Sequence, residues 1–167
     1  MGLFDLFSDD RPALVAEAFG HVQRMLDTGN LKLVSIVHEA ERIGDLAKSI
    51  VKAGKLSHRP RMGPQVEPLR EMRDRVLVMF EHARDGFVEE EAEAARELMS
   101  MHEKMKDDVT TYLQDLADDD RLTANEGIVL ALIARLLSRV SSHLSNIASA
   151  VVSPFDQIRR APTWESP

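Results

Sequence analysis

Two acidic residues and a histidine at helical spacing carry the strongest chemical signal in this sequence. Glu41 and Asp45 are four residues apart, and His38 precedes Glu41 by three. Side chains at these spacings lie on one stripe of an α-helix. Carboxylates held one turn apart suit a hard or borderline cation, so we predict that Glu41 and Asp45 bind a metal ion. His38 is interpreted as a surface histidine. The alternative is a solvated acidic face with ion pairs to Arg42 or Lys48.

The helix that carries these acids is predicted to extend from about residue 31 to Gly54. Thr28-Gly29-Asn30 separates it from an earlier predicted helix, because glycine and asparagine are common at helix ends. The two acids are expected at the edge of a buried face. Apolar residues at helical spacing predict that face: Leu33, Ile36, Ala40, Ile43, Ala47 and Ile50.

The pattern of apolar residues along the whole chain predicts a single all-α domain, an antiparallel bundle of five helices. Short turns between neighbouring helices require the antiparallel arrangement. Prolines and a glycine mark the main linker. The predicted order is an apolar arm (1–10), an incomplete first bundle (11–54), a linker (55–68), a second bundle (69–152) and an extended tail (153–167).

The composition excludes several classes of function. The 167 residues include no cysteine, so disulfides, thiolate metal sites and catalytic thiols are excluded. A formal net charge of −7 argues against general nucleic-acid binding, since phosphates require a basic surface. No uninterrupted apolar run approaches the ~18–20 residues of a membrane span, and the first residues do not resemble a secretory signal. We therefore expect a cytoplasmic protein.

The motifs of common enzyme classes are also missing from the sequence. It has no nucleophile–base pair, no glycine-rich phosphate loop and no zinc-protease motif. None of its histidines follows an acid at the Glu-x-x-His spacing of di-iron bundles. We therefore predict that the protein is not an enzyme.

The last predicted helix, 123–152, repeats the acidic helix. Aligning the two places Arg139 on Arg42, and the apolar positions coincide as well. Ser138 and Ser142 stand where the first copy has its two acids, so a second metal site is not expected. Further serines extend this stripe of small residues. We interpret it as room for close approach of another helix; the alternative is a hydroxyl-lined pocket.

Two polar residues of the predicted helix 89–117 are candidates for a structural or metal-binding role. His102 lies on its apolar line and is predicted to be a core histidine bonded to a neighbour. Asp108 is the first candidate for a further metal ligand beside Glu41 and Asp45, because two carboxylates leave most of a coordination shell unfilled. The alternative for Asp108 is a solvated helix face.

The acidic helix resembles a motif of the PhoU family, helical proteins of bacterial and archaeal phosphate regulation. The segment Glu41–Ile50 follows the family pattern Glu-Arg-Ile-Gly-Asp-x-Ala-x-x-Ile. The segment 142–147 is similar to the second copy of that motif, Asp-His-x-x-Asn-Ile. It keeps His143 and Asn146 but has serine in place of the aspartate. The resemblance covers roughly residues 31–152.

This resemblance implies a fold of spectrin-repeat-like three-helix bundles, and a function in phosphate homeostasis. It implies that the acidic helices bind iron, zinc, manganese or magnesium, and here only Glu41 and Asp45 carry that role over. It also implies partners: a phosphate transporter, a sensor histidine kinase, or both. The family has six helices and this chain has five, so we expect a homodimer or a higher oligomer. The alternative function is a metal-free helical adaptor with no phosphate role.

Overall fold

A computed structural model describes residues 31–58, 63–89 and 91–152 of the chain. These residues form four α-helices and one short 3-10 helix, and they contain no β-strand. The helices are α1 (Leu31–Lys55), α2 (Glu67–Val88), α3 (Ala92–Ala117) and α4 (Ala124–Val152), with the 3-10 helix Pro64–Val66 before α2. The all-α class is confirmed. The predicted helix within 11–27, the arm 1–10 and the tail 153–167 lie outside the described residues, so the count of five helices stays a prediction.

Helix α4 is the central element of the bundle, because α1, α2 and α3 all pack against it. Its buried face is almost entirely apolar, as expected for a helix enclosed on several sides. The side chains of Val129, Ile133 and Leu144 are essentially inaccessible to solvent. Among the described residues, α4 alone is long and apolar enough to cross a membrane by length and composition. The core helix of a soluble protein has the same character.

Helix α1 runs antiparallel to α4 along nearly its whole length. At one end, Asn125 Nδ2 near the start of α4 donates a hydrogen bond to the carbonyl oxygen of Leu56, just after α1. At the other end, Asn146 Nδ2 near the end of α4 donates to Glu39 near the start of α1. These two contacts set the register between α1 and α4.

The turn into α4 and the close packing of α2 against α3 follow from particular residues. Thr123 and Glu126 form a capping box: Glu126 accepts from the Thr123 backbone N–H at 2.9 Å, and Thr123 Oγ1 accepts from the Glu126 N–H at 3.3 Å. Gly86 lets α3 approach α2, because a Cβ at this position would lie only 3.2 Å from the Cβ of Ala95. Gly63 has φ of 119°, a conformation that favours glycine.

The buried face of α1 differs from the predicted one. Ala47 is exposed and Ala40 is only half-buried, whereas Leu46 and Ala53 are buried together with Ile36, Ile43 and Ile50. The prediction that Ala47 packs in the core is therefore wrong. The physical reason is a rotation of the buried stripe that brings Glu39 inward, where α4 supplies hydrogen-bond donors for its carboxylate.

Candidate functional site

A cavity of about 350 Å³ lies between α1 and α4, and we call it the α1–α4 cavity. Six of its lining residues come from α1 and two from α4. It contains both acids of the first motif and the two arginines that the internal repeat aligns. Its lining residues are His38, Glu41, Arg42, Asp45, Leu46, Ser49, Arg139 and His143.

Glu41 and Asp45 both lie on the wall of this cavity and are exposed to solvent. Asp45 Oδ1 accepts a hydrogen bond from Lys48 Nζ at 3.0 Å, an ion pair between two well-exposed side chains. Among the residues that the structure describes, Arg42 pairs with no acid, and its Nε donates to Nε2 of His38 at 2.8 Å. His38 is exposed, as the sequence interpretation expected.

Asp108 lies elsewhere in the bundle. It is on α3, it is not on the wall of the α1–α4 cavity, and its Oδ2 accepts a hydrogen bond from Nη1 of Arg75 on α2. The structure therefore does not bring Asp108 together with Glu41 and Asp45. Its place is in an ion pair between α2 and α3.

The side chains around Glu41 and Asp45 do not by themselves fit a metal ion. Across residues 31–58, 63–89 and 91–152, no group of three or more His, Asp or Glu side chains is arranged to hold one. Of the two carboxylates, Asp45 already has an ammonium partner, and both arginines on the wall repel a cation. A metal at Glu41 and Asp45 needs ligands from outside this set, so the metal site stays a prediction.

The sequence interpretation missed Glu39, the one buried carboxylate of α1. Only 4 % of this residue is exposed. Its Oε2 lies 2.6 Å from Nδ1 of His143 and accepts a hydrogen bond from Nδ2 of Asn146 at 3.0 Å. The His-x-x-Asn part of the second motif therefore binds α1. A signal was present, because Glu39 falls between Ile36 and Ile43 on a helical stripe of apolar residues.

Hydrogen bonding explains why this carboxylate tolerates burial. An ionised carboxylate removed from water is costly unless donors replace its hydration. His143 and Asn146 supply two such donors, and His143 also lines the α1–α4 cavity. The buried contact thus connects the wall of the cavity to the packing of α1 against α4.

His102 and Ser141 form a second polar contact, between α3 and α4. His102 is half-buried, and its Nδ1 lies 2.9 Å from Oγ of the fully buried Ser141. Ser141 Oγ donates to the carbonyl oxygen of Ser138 at 2.7 Å, so the histidine nitrogen is the donor to Ser141. Burial lowers the pKa of His102, with smaller opposing effects of Glu103 and Lys106. His102 is therefore a histidine of the helix interface, bonded to a neighbour as predicted.

No serine of the stripe on α4 lines the α1–α4 cavity. Ser141 and Ser149 are buried, and each donates to a carbonyl oxygen three residues earlier in the same helix. Their hydroxyls are satisfied within α4, so these positions permit close packing of helices. The interpretation of the stripe as a packing surface agrees with this arrangement.

A second cavity of about 580 Å³ lies beside the turn between α3 and α4 and has an acidic wall. Hydrogen bonds from Arg121 and then from Gln65 hold the pKa of Asp119 well below its ordinary value. Gln65 Nε2 reaches Asp119 at 2.6 Å, and Tyr112 donates to the carbonyl oxygen of Gln65 at 2.7 Å. These contacts attach the 3-10 helix to the α3–α4 turn, which gives Asp119 a structural role.

The fold and the site together define a helical bundle with a charged cavity between two of its helices. Residues 69–151 match the family model of the PhoU domain, a segment that covers nearly all of α2, α3 and α4. Residues 69–151 of this chain therefore form a PhoU domain, and PhoU is the family that its motifs resemble. That family is regulatory and not enzymatic. Searches of curated proteins and of solved structures gave no significant match.

Proposed function

We propose that this protein is a PhoU-like cytoplasmic regulator of phosphate transport or signalling that works by binding other proteins. The observation that carries the proposal is the PhoU domain over residues 69–151. The segment Glu41–Ile50 of α1, outside that match, adds support, because it follows the family motif and packs on α4 of the same domain. The partners we propose are a phosphate transporter or a sensor histidine kinase.

An apolar patch beside the α1–α4 cavity supports a protein partner. Asn125, Ile128, Leu132, Arg139 and His143 follow one another at helical spacing along α4. The first of them contacts Leu56 just after α1 and the last contacts Glu39 in α1, so this stripe borders the groove between the two helices. Ile128 is 58 % exposed and Leu132 is 41 % exposed. Large exposed apolar side chains next to charged ones are typical of protein interaction surfaces.

A pull-down from phosphate-replete and phosphate-starved cells tests the proposal. The bait is the full chain, compared with an Ile128→Asp variant and with Val78→Asp as the matched control. Val78 is a similarly exposed apolar residue on α2, at 41 %. We expect the wild type and Val78→Asp to capture a phosphate transporter subunit or a sensor kinase, in amounts that depend on phosphate supply. We expect Ile128→Asp to lose this partner.

The alternative function is a metal-free helical adaptor without a phosphate role. It predicts capture of the same unrelated partner under both phosphate conditions. That result would refute the regulatory proposal.

The proposal includes a homodimer or higher oligomer. The reason for it is that the family has six helices and this chain is predicted to have five. Light scattering of the purified full chain at micromolar concentration measures the mass. A monomer would contradict the oligomer and leave partner binding to be judged by the pull-down.

A further inference from the structure

We propose that the α1–α4 cavity binds inorganic phosphate in its protonated form, held by Arg42 and Arg139 and selected by Glu41. The inference rests on the proposed function only for the statement that the protein carrying this site is a regulator. The chemistry of the ligand follows from the side chains of the cavity wall.

The two arginines supply hydrogen-bond donors from two different helices. Arg139 on α4 is exposed and has no hydrogen bond or ion pair with any residue in the described part of the chain. Arg42 on α1 uses its Nε for His38, which leaves the outer guanidinium nitrogens without a described protein acceptor. The planar guanidinium group matches the geometry of a tetrahedral oxyanion, to which it donates paired hydrogen bonds.

The charges around the cavity favour an anion although the whole chain is acidic. Lys48 neutralises Asp45 across 3.0 Å, and the buried Glu39 is not on the cavity wall. Arg42 and Arg139 then face a single remaining carboxylate on the wall, that of Glu41. The wall thus presents two guanidinium groups and two carboxylates, and Lys48 pairs with one of these carboxylates.

Glu41 determines which anion is accepted. It lies on the wall and forms no hydrogen bond or ion pair with the other described side chains. A carboxylate repels an anion that has no proton, whereas it accepts a hydrogen bond from an anion that keeps one. Inorganic phosphate keeps at least one proton at neutral pH, and sulfate keeps none. Phosphate monoesters have a second pKa of about 6, so they are mostly unprotonated at neutral pH.

The size of the cavity agrees with this ligand. Its volume of about 350 Å³ leaves room for a small oxyanion together with several waters. Each water occupies about 30 Å³ in the liquid. An open, partly hydrated site of this kind predicts modest affinity, because water competes for every donor.

Calorimetric titration of the full chain, treated with a chelator and kept at neutral pH, tests the proposal. The probes are inorganic phosphate, sulfate and phosphoserine. The wild type should bind phosphate, and it should bind neither sulfate nor phosphoserine comparably. Arg139→Gln should weaken phosphate binding about 10-fold or more, the usual effect of losing a hydrogen bond to a charged group. Glu41→Gln should let sulfate bind about as well as phosphate.

Arg96→Gln is the matched control, since Arg96 is an exposed arginine on α3 that pairs with Glu93. It should leave phosphate binding unchanged, and circular dichroism verifies that all variants are folded. The proposal is overturned if the wild type does not bind millimolar phosphate or binds sulfate or phosphoserine as well as phosphate. Phosphate binding that appears only after a metal is added also overturns it. The pull-down is independent of this titration, so the two proposals fail separately.

Discussion

The buried carboxylate of Glu39 provides the sharpest test of how α1 is held on α4. In Glu39→Ala, His143 Nδ1 and Asn146 Nδ2 lose an acceptor at 2.6 Å and 3.0 Å. Hydrogen bonds to charged groups contribute about 1.5–3 kcal/mol each, and part of that is recovered because the carboxylate no longer has to be desolvated. We therefore expect the free energy of unfolding to fall by about 3 kcal/mol, a large share of the typical 5–15 kcal/mol.

Urea unfolding followed by circular dichroism measures this loss. If the slope of the free energy of unfolding against urea concentration is unchanged, the substitution altered the stability and not the surface exposed on unfolding. Glu41→Ala is the matched control, because Glu41 is exposed on the same helix and should change the free energy by less than about 0.5 kcal/mol. The free energy of unfolding of Glu39→Gln should lie between those of the wild type and Glu39→Ala, since the amide oxygen still accepts a hydrogen bond but carries no charge. If Glu39→Ala is as stable as Glu41→Ala, the buried contact does not hold α1.

Four further predictions test other parts of the protein. Burial lowers the pKa of His102, so the unfolded chain binds more protons near the ordinary value of about 6.5. The free energy of unfolding should therefore decrease as the pH falls through that range, and His102→Asn should show a weaker decrease. Gly86→Val should destabilise the protein by about 1–3 kcal/mol, because it forces α2 and α3 apart. Gly44→Ala, with no described atom within 4 Å of its new Cβ, should instead raise stability by about 0.5–1 kcal/mol in thermal unfolding. The sequence motif predicts that the wild type binds a metal ion and that the double variant Glu41→Gln/Asp45→Asn does not. Equal metal content in the two proteins by elemental analysis would leave both acids as ordinary surface residues.

Helical periodicity was sufficient to predict the elements of this protein. The apolar spacing predicted helices over 31–54, 89–117 and 123–152, and these became α1, α3 and α4. The motif at Glu41–Ile50 also pointed to the PhoU family, because its residues are contiguous and need no knowledge of packing. Local signals of this kind survive in the sequence because caps and helical stripes depend on neighbours within a few residues.

The contacts of the site depended on how the helices pack. Glu39 meets His143 across 104 positions in the chain, and Asp108 meets Arg75 instead of Glu41. Successive helical residues are about 100° apart, so a shift of one residue in the buried stripe exchanges a surface acid for a buried one. Periodicity leaves that rotation open within one residue, which is why Ala47 was wrongly placed in the core. Only the packing of α1 on α4 decided which acid is enclosed and which arginines share the cavity.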